Sequence, residues 1–157
     1  MDEVLSEIDR FDRAILSILS HSGRMSMTDL AKEVGLSKTP VTARVKRLEA
    51  EGVISGYRAE LSARKLGLDH IAFVEIKLSD TREHALEAFN NAVREIVEVE
   101  ECHMIAGGFD YLVKVRTGDI AQYRRVLSER ISALPFVTSS STYVSMESVR
   151  DPGVQLR

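Results

Sequence analysis

The chain has 157 residues, 44% of them hydrophobic, and a formal net charge of −3. That length allows one ordinary domain or two small ones, with enough apolar residues for a core and no run near the ~18 needed to span a membrane. Cys102 is the only cysteine, which excludes an intrachain disulfide and a cysteine-built zinc site within one chain; the first dozen residues carry five acids and one base rather than an apolar leader, so a cytoplasmic protein is expected.

Taken in chain order, the first half is helical. Ile8, Phe11, Ile15, Ile18 and Leu19 recur at helical spacing, predicting a helix from about Ile8 to Ser20, ended by His21-Ser-Gly23. From Ser26 to Gly52 two more helices are joined by a tight glycine turn. Ser26 and Ser37 stand as N-caps, Gly35 and Gly52 supply left-handed turns, and Pro40 falls in the first turn of the later helix. Val41, Val45 and Leu48 then share one face, with Thr39, Thr42, Lys46 and Arg47 on or toward the other. Between Lys38 and Leu48 there are four basic residues and no acid. This is the layout of a helix-turn-helix whose second helix enters a DNA major groove. Amphipathic helices with a charged outer face occur in any small helical domain, but the caps together with a one-sided basic cluster favour DNA.

The negative net charge does not oppose this reading. Residues 1–60 carry nine bases and ten acids, and the bases concentrate in the recognition segment; local potential steers binding. The candidate DNA-contacting residues are Lys38, Thr39, Thr42, Arg44, Lys46 and Arg47. Val53 to Leu61 reads as a short hairpin or wing, so 1–61 is expected to form a winged helix-turn-helix and 62–68 a connector.

The second half changes period. Strands are expected over His70–Leu78, Val97–Ala106, Asp110–Arg116 and Val137–Val149. Helices are expected over Glu83–Ile96, with Leu86, Phe89, Val93 and Ile96 inward, and over Ile120–Ala133, capped by Asp119. The order βαββαβ over 69–151 predicts a ferredoxin-like module with two helices on one sheet face. The fold class is therefore α+β. The other sheet face has no cover from these elements, so an exposed apolar surface and an interface are expected there. The tail, 152–157, is expected to be disordered.

Catalytic and metal chemistry find little support. Cys102 and His103 are adjacent in a strand and point to opposite faces, so they do not make a nucleophile–base pair. The four histidines show no metal spacing, and no cofactor is expected. Gly107-Gly108 lacks the further glycine and following helix of a dinucleotide loop. It is either a β-turn or a backbone that a small ligand approaches closely. Asp110 is either a turn residue or a ligand acceptor.

Taken together, Asp9-Arg-Phe-Asp12, Gly23-Arg24, Val34-Gly-Leu-Ser37, Thr39-Pro40, Arg44-Val-Lys-Arg-Leu-Glu49, Gly52-Val-Ile-Ser-Gly-Tyr57, Glu101-Cys-His103, Gly107-Gly-Phe-Asp-Tyr-Leu112, Leu134-Pro135 and Thr142-Tyr-Val-Ser-Met-Glu147 closely resemble the Lrp/AsnC family of bacterial regulators. The resemblance runs from Asp9 to about Asp151. It implies a regulator whose modules pair sheet against sheet, with dimers assembling into a ring of eight, and whose binding to a palindromic operator in double-stranded DNA responds to an amino acid. It carries the effector role to Gly107, Gly108, Asp110, Tyr143, Val144 and Ser145, with Ile120 and Ser132 also matching response positions. Gly108 stands where the family often has an acid, and Ser145 where it often has an apolar residue. The lost charge at Gly108 suits a compact, uncharged effector, and the resemblance, taken within the family, implies L-proline first, with proline utilisation as the regulated process, and leucine or another branched amino acid second. The competing class is an enzyme on the same two-domain scaffold, a sirohaem decarboxylase. The basic recognition helix argues against it, since an enzyme has no need of one.

Overall fold

The computed structural model describes residues 8–151, 153 and 154. The chain divides into two compact units, Met1–Ala59 and Glu60–Arg157.

The first unit holds three helices: α1 (Arg10–His21), α2 (Met27–Val34) and α3 (Lys38–Ala50). Asp9 starts α1 with a capping box: its side chain accepts from the Phe11 and Asp12 amides, and the Asp12 carboxylate accepts from the Asp9 amide. The core is Ile15 and Leu19 from α1, Leu30 and Ala31 from α2, and Val41, Val45 and Leu48 from α3. These are the apolar positions of three helical periods, each buried against the other two.

The two expected caps differ. Ser26 Oγ accepts from the Asp29 amide at 3.1 Å, whereas Ser37 has the extended backbone of an N-cap but makes no side-chain cap bond. The reason lies in the sequence: Pro40 occupies the third helical position, so one of the two N–H groups an N-cap oxygen accepts from does not exist. Ser26→Ala is accordingly expected to cost about 1 kcal/mol of unfolding free energy. Ser37→Ala should cost less than half of that in the same denaturant titration; equal losses would contradict this account. Gly35 (φ 75°) ends α2 in the left-handed region, as expected.

The wing does not form a hairpin. Val53 to Glu60 is irregular, without strand pairing. Val53 and Ile54 pack against the helical core instead, and the Tyr57 hydroxyl donates to Glu49 at 2.9 Å. Leu61, the end of the expected hairpin, pairs with Val154.

The second unit is a four-stranded antiparallel sheet in the order β2-β3-β1-β4, formed by β1 (His70–Leu78), β2 (Val99–Met104), β3 (Tyr111–Thr117) and β4 (Val137–Val144). Helices α4 (Glu83–Arg94) and α5 (Ile120–Val126) complete the βαββαβ order. Alternation along β1 sends Ala72, Val74, Ile76 and Leu78 to the helix side, where they meet Phe89 and Val93 of α4 and Tyr123 and Val126 of α5. Cys102 packs against the same core, and burial pushes its thiol up to about 11, far from a nucleophile's range. Its neighbour His103 lies mostly exposed, as the strand geometry requires.

Four further expectations are corrected. The helix expected to run unbroken from Ile120 to Ala133 widens into a π turn over Leu127–Ile131, with Ser132 N–H donating to Leu127 O at 2.8 Å. The last strand stops at Val144 rather than Val149, because β1 offers no partner beyond the Ser145 N–H to Ile71 O bond. The open sheet face is mixed rather than apolar: Phe73, Leu112 and Tyr143 stand among Glu75, Lys77, Glu101, His103, Lys114, Ser139 and Ser141, as the strand registers place them. Finally, the tail expected from 152 onward is ordered at Val154, which is buried and bridged to Leu61; Pro152 and residues 155–157 lie outside the described residues.

Candidate nucleic-acid interface and effector loop

The recognition helix α3 presents three surfaces. At about 100° per residue, Thr39, Ala43 and Lys46 project opposite the buried Val41, Val45 and Leu48. All three are exposed, as is Lys38 at the helix start. Thr42 is half-buried on one flank, and its hydroxyl donates to Lys38 O at 2.8 Å. Arg44 and Arg47 occupy the other flank, and neither points freely outward.

Both arginines are held by α1. Arg44 Nη1 lies 2.9 Å from Asp12 Oδ1 and 2.7 Å from Asp9 Oδ2. Arg47 Nη2 lies 2.6 Å from Asp12 Oδ2, and its Nη1 lies 3.0 Å from Glu51 Oε2. Asp12 is only 1% exposed. Its hydrogen bonds, first among the causes, hold both guanidiniums above the usual arginine range. The Asp12 amide, again the largest cause, holds the Asp9 carboxyl below the usual carboxylate range. The Arg44 guanidinium also sits 5.5 Å from the centre of the Phe11 ring. Of the six residues expected to face DNA, the structure therefore leaves Lys38, Thr39 and Lys46 open and ties Arg44 and Arg47 into a network. Sequence reasoning missed Asp12 as the partner of both arginines. The signal for Asp12 was present: with Ile15 and Leu19 it lies on the buried stripe of α1, an acid at an apolar position that needs cationic partners.

In the second unit, Gly107 and Gly108 lie in the turn between β2 and β3. Its frame is two backbone bonds, Ile105 N–H to Asp110 O and Asp110 N–H to Ile76 O, each 2.9 Å. The Asp110 carboxylate accepts from the Leu78 amide at 2.7 Å, so this acid anchors the turn to β1. A Cβ on Gly108 would meet nothing within 4 Å, and neither glycine needs left-handed backbone. The turn thus leaves room beside Gly108, whose carbonyl accepts from Lys77 Nζ at 3.4 Å, toward a shallow pocket that Gly108 and Phe109 line with Glu75, Lys77, Ser139 and Ser141. Tyr143 reaches the same surface, its hydroxyl donating to Glu75 Oε2 at 3.3 Å.

Val144 and Ser145 do not join this group. Asp110 bonds to β1 at Ile76 and Ser145 bonds to it at Ile71, five residues away. At about 3.4 Å per residue the two ends are roughly 17 Å apart. Ile120 and Ser132 are exposed in and just after the second helical segment, rather than on the sheet. No group of three or more His, Cys, Asp or Glu side chains among the described residues could hold a metal ion. No helix among them is long and apolar enough to cross a membrane.

Each of the two units matches a known protein family. Residues 8–55 match the winged helix-turn-helix DNA-binding family, and 71–154 match the Lrp/AsnC ligand-binding domain. The chain is 64% identical over 148 residues to a proline dehydrogenase transcriptional activator of Rhizobium radiobacter, covering 94% of this chain and 95% of that one. It is 45% identical over 144 residues to the leucine-responsive regulatory protein of Escherichia coli (strain K12), covering 92% and 88%. A crystal structure of an AsnC family transcriptional regulator from Agrobacterium tumefaciens superposes with a TM-score of 0.87 at 34% identity, covering 95% and 96%. A transcriptional regulator of Neisseria meningitidis, solved as an L-Met complex, superposes with a TM-score of 0.86 at 26% identity, covering 91% and 92%. These relatives are regulators rather than enzymes, which removes the sirohaem decarboxylase alternative. With a DNA-binding helix-turn-helix, a ligand-binding βαββαβ module and these relatives spanning nearly its whole length, the chain belongs to the Lrp/AsnC family of transcriptional regulators.

Proposed function

We propose that this protein is a proline-responsive regulator that acts in the cytoplasm as a two-fold dimer on a palindromic operator, with an octamer as its larger form. The observation that carries the reading is the open turn at Gly108 beside Glu75 and Lys77. A free amino acid carries a carboxylate and an ammonium, and this surface offers a cation for one and an acid for the other. A compact side chain suits a site where glycine replaces a charged residue. The proline dehydrogenase activators among its relatives favour proline over leucine.

Assembly follows from the separation along β1. The Gly107–Asp110 group and the Val144–Ser145 group are too far apart to share one small ligand within a chain, so a pocket using both needs a second copy. The open sheet face supports two-fold pairing: it interleaves Glu75 with Lys77 and Glu101 with Lys114, charges that a symmetric partner can complement.

Calorimetry with L-proline, L-leucine and other amino acids, run alongside light scattering, tests the reading. Proline is expected to bind and to shift the oligomer distribution or the footprint. Asp110→Ala should weaken that binding at least tenfold, because the turn loses its anchor on Leu78. Binding of another amino acid in place of proline would overturn the effector, and a monomer at micromolar concentration would overturn the assembly.

A further inference from the structure

We propose that Asp12, with Asp9 and Glu51 at its rim, sets specificity by withholding Arg44 and Arg47 from DNA phosphates, so that sequence-independent binding is kept weak. The inference rests on the DNA-binding reading of α3 and concerns a role opposite to that of a contact residue. Sequence-independent affinity comes almost wholly from cations placed on phosphates. Two guanidiniums on the recognition helix would ordinarily supply much of it. Here each is bonded to a carboxylate that lies almost entirely out of solvent.

The geometry makes the restraint strong. Asp12 presents one oxygen to each arginine, Oδ1 to Arg44 and Oδ2 to Arg47. Drawing either arginine onto a phosphate would leave a buried carboxylate with half its cationic partners, and an uncompensated buried charge is costly. The outer carboxylates add to the hold, Asp9 on Arg44 and Glu51 on Arg47. Three acids face two bases on this flank, so it offers no net positive charge to DNA. The exposed positive charge of α3 is left to Lys38 and Lys46, on or beside the face that also carries Thr39 and Ala43. Discrimination is a difference of affinities, and lowering the affinity for wrong sequences raises it as surely as adding a base contact.

The test is the salt dependence of binding to a short duplex of scrambled sequence. Asp12→Asn keeps the shape of the side chain but removes the charge. Glu49→Gln is the control, because it removes one charge from the same helix while its partner is Tyr57 rather than an arginine. Released arginines that reach phosphate steepen the log–log salt slope by about 0.9 for each phosphate engaged. Asp12→Asn is expected to steepen it by about that much beyond the control, raising affinity at about 50 mM salt relative to about 200 mM by roughly threefold. A merely structural Asp12 would weaken binding without steepening the slope. If Asp12→Asn does not fold, Glu51→Gln loosens Arg47 at the surface and is expected to exceed the Glu49→Gln control in the same direction. A slope equal to the control, in whichever of the two variants folds, overturns the proposal. Failure of the parent chain to bind any duplex would instead overturn the DNA-binding reading, and this inference with it.

Discussion

Replacing Lys38 and Lys46 together by methionine is expected to weaken operator binding at least thirtyfold, with the fold intact. Both side chains are exposed, and methionine keeps the apolar stem while removing the charge. Removing an interaction of this type costs about 1–3 kcal/mol when it reads a base and weakens all sequences alike when it grips a phosphate. Each phosphate released from its cation also flattens the salt slope by about 0.9. Footprinting and salt-series affinity measurements separate the two uses. A loss confined to operator DNA marks a base reader; a uniform loss with a flatter slope marks a grip on phosphate. Affinity within about threefold of the parent chain would mean that α3 does not read the operator, since its other two bases are ion-paired with Asp9, Asp12 and Glu51.

The largest stability effect is expected at Arg116. This side chain is almost fully buried at one end of the open sheet face. It donates to Glu100, to both oxygens of Asp151 at 2.8 and 2.9 Å, and to Leu68 O at 3.1 Å. Burial works against its charge, yet Glu100 and Asp151 more than offset that and hold its pKa above the usual arginine range. One guanidinium therefore joins the second strand, the connector and the C-terminal segment. Arg116→Met leaves two carboxylates facing each other, and breaking a pair of this kind costs about 3–5 kcal/mol. Lys114, 3.1 Å from Glu100, offsets part of it, which places the expected loss near 3 kcal/mol. In a domain of this size that lowers the melting temperature by at least about 12 °C. Calorimetry checks the figure, and a shift below about 4 °C would refute the clasp. Asp151→Asn should show a smaller loss, since Glu100 keeps its hold.

The elements that could be read from residue order are those whose signal is local. Periodic apolar residues marked α1, α2, α3 and β1 through β3, because each element must bury one face, and position along the chain decides which side chains share it. Ser26, Gly35 and Asp119 marked helix ends through bonds or backbone angles that span only a few residues. The DNA-binding reading followed from the same local pattern, and so did the opposed placement of Cys102 and His103.

What escaped depended on partners distant in sequence. The wing was expected as a hairpin, but strand pairing needs a second edge, and Leu61 found it at Val154. The long last helix gained a π turn, and the last strand ended where β1 ran out of partners, neither of which periodicity reports. The open sheet face was expected to be apolar because no helix covers it, yet its residues alternate with the core and mix apolar, polar and charged side chains. Most of all, the ion pairing of Arg44 and Arg47 was not legible, because composition counts charges without their counterions. Their partner Asp12 lies more than thirty residues away and became visible only when α1 packed beside α3. Residue order was enough for most of the elements, the family and the DNA-binding helix, since these rest on short-range spacing. Which basic side chains on that helix are ion-paired and which are open to solvent came from the packed molecule alone, since burial and ion pairing are set by residues that meet in space.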